Sequence, residues 1–233
     1  YIDLTDAEEL EKLLAGDEET AYLFDSERAL VTFTKDGKTC YTCSLADQMR
    51  PVWKEFFENS EKIKITHGLR DDIVALSGQG IFPRGVKIDT EIGAYLLEPS
   101  RKTYDISDLC FDFLGVSLGE GDGGSVQLSL DMLGEGGSQM KQRQTLMLRA
   151  LADFEQEELE RLGEHSLFCD IEMPLVTVLA SMQLEGFRVD RDKLEEFGRS
   201  LEDAISVLTE EIYQHAGGEF NINSTKQLGT VLF

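Results

Sequence analysis

The chain has 233 residues, 41% of them hydrophobic, with 13 Phe and only 4 Pro, which is enough apolar material for a folded core and too much for a disordered chain. Asp and Glu number 45 against 22 Lys and Arg, a formal net charge of −23, with 33 acidic and 17 basic residues up to position 165 and 12 and 5 beyond it. Such a surface repels phosphates and excludes a free-standing, electrostatically driven nucleic-acid binder. No apolar run approaches the ~18 to 20 residues of a membrane-spanning helix, so no membrane partner is expected. Four scattered cysteines imply no disulfide framework, which makes a reducing cytoplasm the expected compartment.

Thr5 and Glu8 form a T-x-x-E capping box ahead of Leu10, Leu13 and Leu14, which predicts a first helix. Strands are expected at 21–24, 29–33 and 39–43, with Leu30, Thr32 and Thr34 alternating against Val31 and Phe33, and Asp36-Gly37 as the hairpin turn. Helices follow at 49–58, 70–76, 90–97 and 106–114, and a short β-type run, KIKIT, ends at Thr66. Strands first, then alternating strand and helix, argue for an α/β domain with a mixed sheet. Residues 118–139 are rich in Gly and acidic side chains but lack the Gly-Lys-Ser/Thr ending of a phosphate-cradling loop, so a flexible linker is expected.

Two more helices are predicted at 144–162 and 167–184, the second tolerating Pro174 if that residue lies in its first turn. Gly186 ends it, and Asp190 or Asp192 caps a long helix whose stripe is Leu194, Phe197, Leu201, Ile205, Leu208 and Ile212. That stripe is a packing face. Its expected partner is the preceding helix, with Met173, Val176, Leu179 and Met182, in a two-helix arm over 167–216. Cys40 and Cys43 have C-x-x-C spacing, but positions i and i+3 of a strand face opposite sides and no second ligand pair follows, so they carry no metal or redox assignment.

Three blocks in order, IEMPLV at 171–176, EGFRVD at 185–190 and EFNINSTKQLGTVLF at 219–233, closely resemble the opening of the polymerase region, the thumb, of bacterial family A DNA polymerases. The resemblance implies a 3'-5' exonuclease domain immediately upstream. The expected architecture is therefore a ribonuclease H-like 3'-5' exonuclease fold with a mixed sheet over 1–165, then a helical thumb-base segment over 166–233. A start without Met and a stop inside a helix suggest a piece of something longer.

Proofreading domains of that family hold two divalent metal ions on four carboxylates, the ions ~3.5 to 4 Å apart, and hard cations such as Mg²⁺ take oxygen ligands. Their first motif, F-D-x-E, matches Phe24-Asp25-Ser26-Glu27. On a strand Asp25 and Glu27 would share a face and could reach one metal. In a tight polar turn Arg28 would simply neutralise Glu27. Both readings stand, since the loop to the next strand is shorter than the family's.

The run from Thr66 to Asp72, THGLRDD, resembles the second exonuclease segment and that of the ribonuclease D relatives. Asp72 falls on the metal-ligand position, Gly68 replaces the family's Asn, and His67 is expected as a partly buried turn residue. Ile88-Asp89-Thr90 resembles the next strand–helix junction, with Asp89 as the cap.

The family's third motif, Tyr-x-x-x-Asp, has no counterpart in the basic SQMKQRQ of 138–144; the remaining candidate, Asp153, has Arg149 where the Tyr would be. The resemblance thus implies an exonuclease-like domain without activity, in which Asp25, Glu27 and Asp72 bind metal weakly or not at all. Mg²⁺ is expected for the whole polymerase and none bound tightly here. The alternatives are an active exonuclease using Asp25, Glu27, Asp72 and Asp153, and an acidic protein-interaction module. Asn221, Asn223, Ser224 and Lys226 are the expected contacts to the duplex backbone. DNA is then a partner of the full-length protein, with weak or no binding by this monomeric piece.

Overall fold

The computed structural model describes residues 1–46, 48–119 and 136–232. Two compact units emerge, Tyr1–Glu185 and Gly186–Phe233. The first is built on a sheet of β1 (Ile2–Leu4), β2 (Thr20–Asp25), β3 (Leu30–Thr34), β4 (Tyr41–Ser44), β5 (Lys64–Thr66) and β6 (Val86–Asp89), in the order β1-β4-β3-β2-β5-β6. β2, β3 and β4 form an antiparallel meander, β5 and β6 extend it parallel to β2, and β1 closes the other edge parallel to β4. This is the mixed α/β sheet that the element order implies.

Alternation along β2 divides the core between two faces. Tyr22 and Phe24 point into the layer formed with α1 (Ala7–Leu14) and α2 (Arg50–Glu58), while Ala21 and Leu23 face α5 (Ile106–Leu114) and α6 (Gly136–Leu162). Trp53 anchors the first layer, with ring centroids 5.6 Å from Phe33 and Phe57 and 5.9 Å from Phe56. The opposite face is polar where β3 and β4 present Thr32 and Thr42 to α6. Thr145 Oγ1 lies 2.7 Å from Thr32 Oγ1, and Gln142 Nε2 donates to Thr42 Oγ1 at 3.0 Å. These directional bonds fix the register of α6 on the sheet, which apolar contact alone would leave free to slide.

A buried lysine fastens the far side of the sheet. Lys64 is 0% exposed, and its Nζ donates to the carbonyls of Asn59, Lys62 and Arg84 at 2.7, 2.8 and 2.8 Å. Gly85 (φ +69°) completes this carbonyl cluster, because a Cβ there would stand 2.7 Å from the carbonyl oxygens of Lys62 and Ser60.

Several local expectations shift. Asp6, not Thr5, caps α1, its carboxylate accepting from Glu8 N–H at 3.1 Å; a carboxylate at a helix N-terminus also meets the helix dipole. β1 forms ahead of it, although three residues at an edge leave little pattern to read. α6 begins at Gly136 rather than at 144, so the basic SQMKQRQ stretch is helix. The expected linker falls mostly at 120–135, outside the described residues.

Pro174 is not in a first turn either. One helical run covers His165–Glu185 as α7 (His165–Leu167), a π-turn (Phe168–Glu172) and α8 (Met173–Glu185). The widened turn absorbs the proline ring and its missing N–H. This run of 21 residues is long and apolar enough to cross a membrane by length and composition, which amends the sequence expectation. In the fold, however, its Val176 and Ala180 are buried against Leu69 and Ile73 of α3 (Leu69–Ser77). α8 therefore packs as part of the α/β unit, where the sequence suggested the first half of a two-helix arm.

The second unit holds α9 (Arg191–Ala216), capped by Asp190 and ended by Gly217, and α10 (Thr225–Leu232). The α9 stripe is exposed throughout, from 39% at Ile212 to 61% at Leu194.

Candidate carboxylate site at the sheet edge

The parallel strands β2, β5 and β6 end at Asp25, Thr66 and Asp89 on one edge of the sheet, the edge where open α/β sheets place ligands. α4 (Thr90–Leu97) follows β6 directly. Asp25 is partly buried; its Oδ1 accepts from the Arg28 N–H at 3.1 Å, and its Oδ2 stands 3.5 Å from Lys141 Nζ. Burial pushes its pKa up, but the Arg28 N–H and the Lys141 ammonium outweigh this and hold the carboxyl below its ordinary range.

Glu27 is not on the strand. Residues 26–29 form a turn, Glu27 is exposed, and Ala29 adopts a left-handed φ of 51° to complete the reversal. The short connection leaves no room to continue β2, and the tight-turn reading replaces the strand reading.

Asp72 lies in the first turn of α3 and is 7% exposed. Its Oδ2 is 2.9 Å from Thr66 Oγ1, which in turn is 3.2 Å from the Tyr22 carbonyl oxygen. Burial pushes Asp72 up to about 8, with the Asp89 charge adding to the rise against Thr66, Tyr22 and Lys141. The Thr66 hydroxyl is the donor in that contact, so it favours the charged carboxylate against the desolvation that raises the pKa.

Asp89 caps two helices at once, accepting from Gly68 and Leu69 N–H at 2.9 and 2.8 Å and from Glu91 N–H at 3.0 Å. Burial raises its pKa although these amides oppose the rise. Gly68, at the position where the resemblance implies Asn, adopts a left-handed φ of +85°. His67 is the expected turn residue, partly buried, with Nδ1 2.9 Å from Thr90 Oγ1 and its pKa lowered by burial.

Asp153 is exposed on α6, and Arg149 is spent on Glu19 Oε2 and the Lys35 carbonyl, both at 3.3 Å. Neither joins the site. The inward carboxylate of that helix is Glu155, 0% exposed, with neither oxygen hydrogen-bonded. Sequence reasoning passed over it and over Lys141, although the basic character of SQMKQRQ did signal a cation where the family has a carboxylate. Cys40 and Cys43 are buried free thiols, both pushed up by burial, Cys40 to about 12; neither is poised as a nucleophile.

Two metal ions need several ionised oxygens converging on one point. Here Asp25 already has an ammonium as its counter-ion, Asp72 is buried with its pKa raised by that burial, and Glu27 faces solvent. Among the described residues no three His, Cys, Asp or Glu side chains are grouped so as to hold a metal. The residues present do not fit the metal pair. If Lys141 serves as the resident cation, Lys141→Met lowers unfolding stability by about 1 kcal/mol and shifts the Asp25 titration upward. An unchanged Asp25 titration in the variant, followed by NMR, would remove Lys141 from that role.

In the second unit, Asn221 Oδ1 accepts from Asn223 N–H at 3.1 Å and Ser224 Oγ from Gln227 N–H at 3.4 Å, so the two expected contacts cap their own turn and α10. The side chains of Asn223 and Lys226 are exposed.

Residues 33–114 match the family described as DNA polymerase I, ribonuclease H-like domain. The chain is 34% identical over 190 residues to DNA polymerase I of Bacillus subtilis (strain 168), covering 78% of this chain and 21% of that protein. With DNA polymerase I of Mycobacterium tuberculosis (strain H37Rv) it shares 32% over 224 residues, covering 94% and 23%. The chain thus spans about a fifth of the length of the curated relatives it matches. Among solved structures, the POL domain of Pol1 from M. smegmatis, in complex with DNA primer-template and dNTP, superposes with a TM-score of 0.75 at 23% identity, covering 99% of this chain and 40% of that one. Brucella melitensis NrnC, which has also been solved with bound Mg²⁺, shares the fold at 0.58 and 17% identity over 79% and 91% of the two chains.

Proposed function

The chain belongs to the bacterial family A DNA polymerases, as a piece carrying their ribonuclease H-like domain, and we propose that this domain has no exonuclease activity and serves the polymerase as a structural element. The observation that carries the reading is Lys141 beside Asp25: the fold itself places an ammonium 3.5 Å from Asp25 Oδ2, a positive charge that opposes a cation there. Asp72 is buried with its pKa raised, Glu27 and Asp153 face outward, and among the described residues no three such side chains are grouped to hold a metal. The proposed whole is a DNA-directed DNA polymerase of replication and repair in the cytoplasm, using Mg²⁺ for nucleotidyl transfer outside these residues. The exonuclease-like domain is assigned to 1–165 and the start of the thumb to 166–233.

DNA contact belongs to the second unit of that whole, through Asn221, Asn223, Ser224 and Lys226. The piece alone, a monomer at −23, binds DNA weakly and loses it in moderate salt. The deciding experiment incubates the full chain and Asp72→Ala with a single-stranded oligonucleotide and Mg²⁺ or Mn²⁺. No digestion is expected from either protein. Digestion by the unmodified chain that disappears in Asp72→Ala would establish an active exonuclease instead.

A further inference from the structure

A cleft of about 200 Å³ opens between the N-termini of α3 and α4 and the side of α8, apart from the Asp25 end of the sheet edge. Its floor is the buried Val176 with the half-open Leu179 beside it. Tyr95 and Tyr104 form one wall, edge to face with centroids 6.1 Å apart, and the Tyr104 hydroxyl donates to the Glu98 carbonyl at 2.9 Å, which fixes that ring. Glu91 supplies the charge. Asp89 beneath it is committed to backbone amides, and Arg70 at the rim pairs with Asp71 at 3.4 Å. No side chain among the described residues donates a hydrogen bond to the Glu91 carboxylate; burial first, then Asp89 and Asp71, raise its pKa, while His67 and Arg70 act in the opposite direction.

We propose that this cleft binds an arginine side chain of a basic protein segment. A carboxylate beside two aromatic rings over an apolar floor matches a guanidinium group, which can stack on a ring while donating two parallel hydrogen bonds to the carboxylate. The aliphatic stem of the arginine covers Val176 and Leu179. An anionic ligand is opposed by Glu91 at the site and by the −23 net charge of the chain. This binding is independent of whether the carboxylate edge cleaves DNA.

The test titrates the ¹⁵N-labelled full chain with a capped Ala-Arg-Ala tripeptide, its citrulline counterpart and dAMP. Saturable shifts confined to 67–71, 90–95, 104 and 176–179 are expected for the arginine peptide. Binding should weaken about tenfold with citrulline, and likewise in Glu91→Gln and in Tyr95→Ala. Tyr95 is 44% exposed, so its removal leaves the core intact, and thermal unfolding checks that both variants fold. Equal binding of the citrulline peptide, shifts spread elsewhere, no saturation, or preferential binding of dAMP in the cleft would each overturn the proposal.

Discussion

Replacing Glu155 with methionine should raise the stability of the first unit at pH 7 by on the order of 2 kcal/mol. The side chain is fully buried on α6 against Gly93 of α4, and both carboxyl oxygens lack partners. Burial first and the Asp89 charge second raise its pKa well above the ordinary value. The sign follows from linkage. Between the unfolded pKa, about 4.3, and the higher folded one, the native state holds a proton that the unfolded state has released, so stability falls as pH rises through that window. Glu155→Gln should flatten the slope, and Glu155→Met should also remove the burial of an unpaired polar group. Urea unfolding followed by the single Trp, Trp53, measures both. Loss of stability in both variants would mean that Glu155 has a partner after all.

Lys64→Met acts in the opposite direction. It leaves the carbonyls of Asn59, Lys62 and Arg84 without their shared donor and removes the ammonium 5.0 Å from the Phe56 ring centroid. A loss of about 2 to 4 kcal/mol is expected, since buried acceptors stripped of a charged donor are costly. Burial, with Lys62 nearby, lowers the Lys64 pKa to about 8. The unfolded lysine titrates near 10.4, so between the two values the unfolded state binds more protons and wild-type stability rises with pH. The variant should lack that rise. A Lys64→Met protein as stable as the wild type would show that its hydrogen bonds do no more than offset the desolvation of the charge.

Residue pattern alone determined much of this protein. The alternation of β3, the helix over 49–58 and the caps at Asp89 and Asp190 are local signals, and each survives because burial on one face or a single capping bond is encoded by neighbours in the chain. Asp25 and Asp72 were found the same way, as positions in motifs. The tertiary structure alone decided what surrounds them. Lys141 is 116 residues from Asp25 in sequence and reaches it only because α6 crosses the sheet at that edge, held there by Thr32 and Thr42. The raised pKa of Asp72 comes first from burial, which no spacing encodes. Glu155 rather than Asp153 faces inward because helix rotation is set by packing against α4, where Gly93 leaves room for it. A motif can name a carboxylate; its charge and its neighbours come from contacts between elements far apart in the chain.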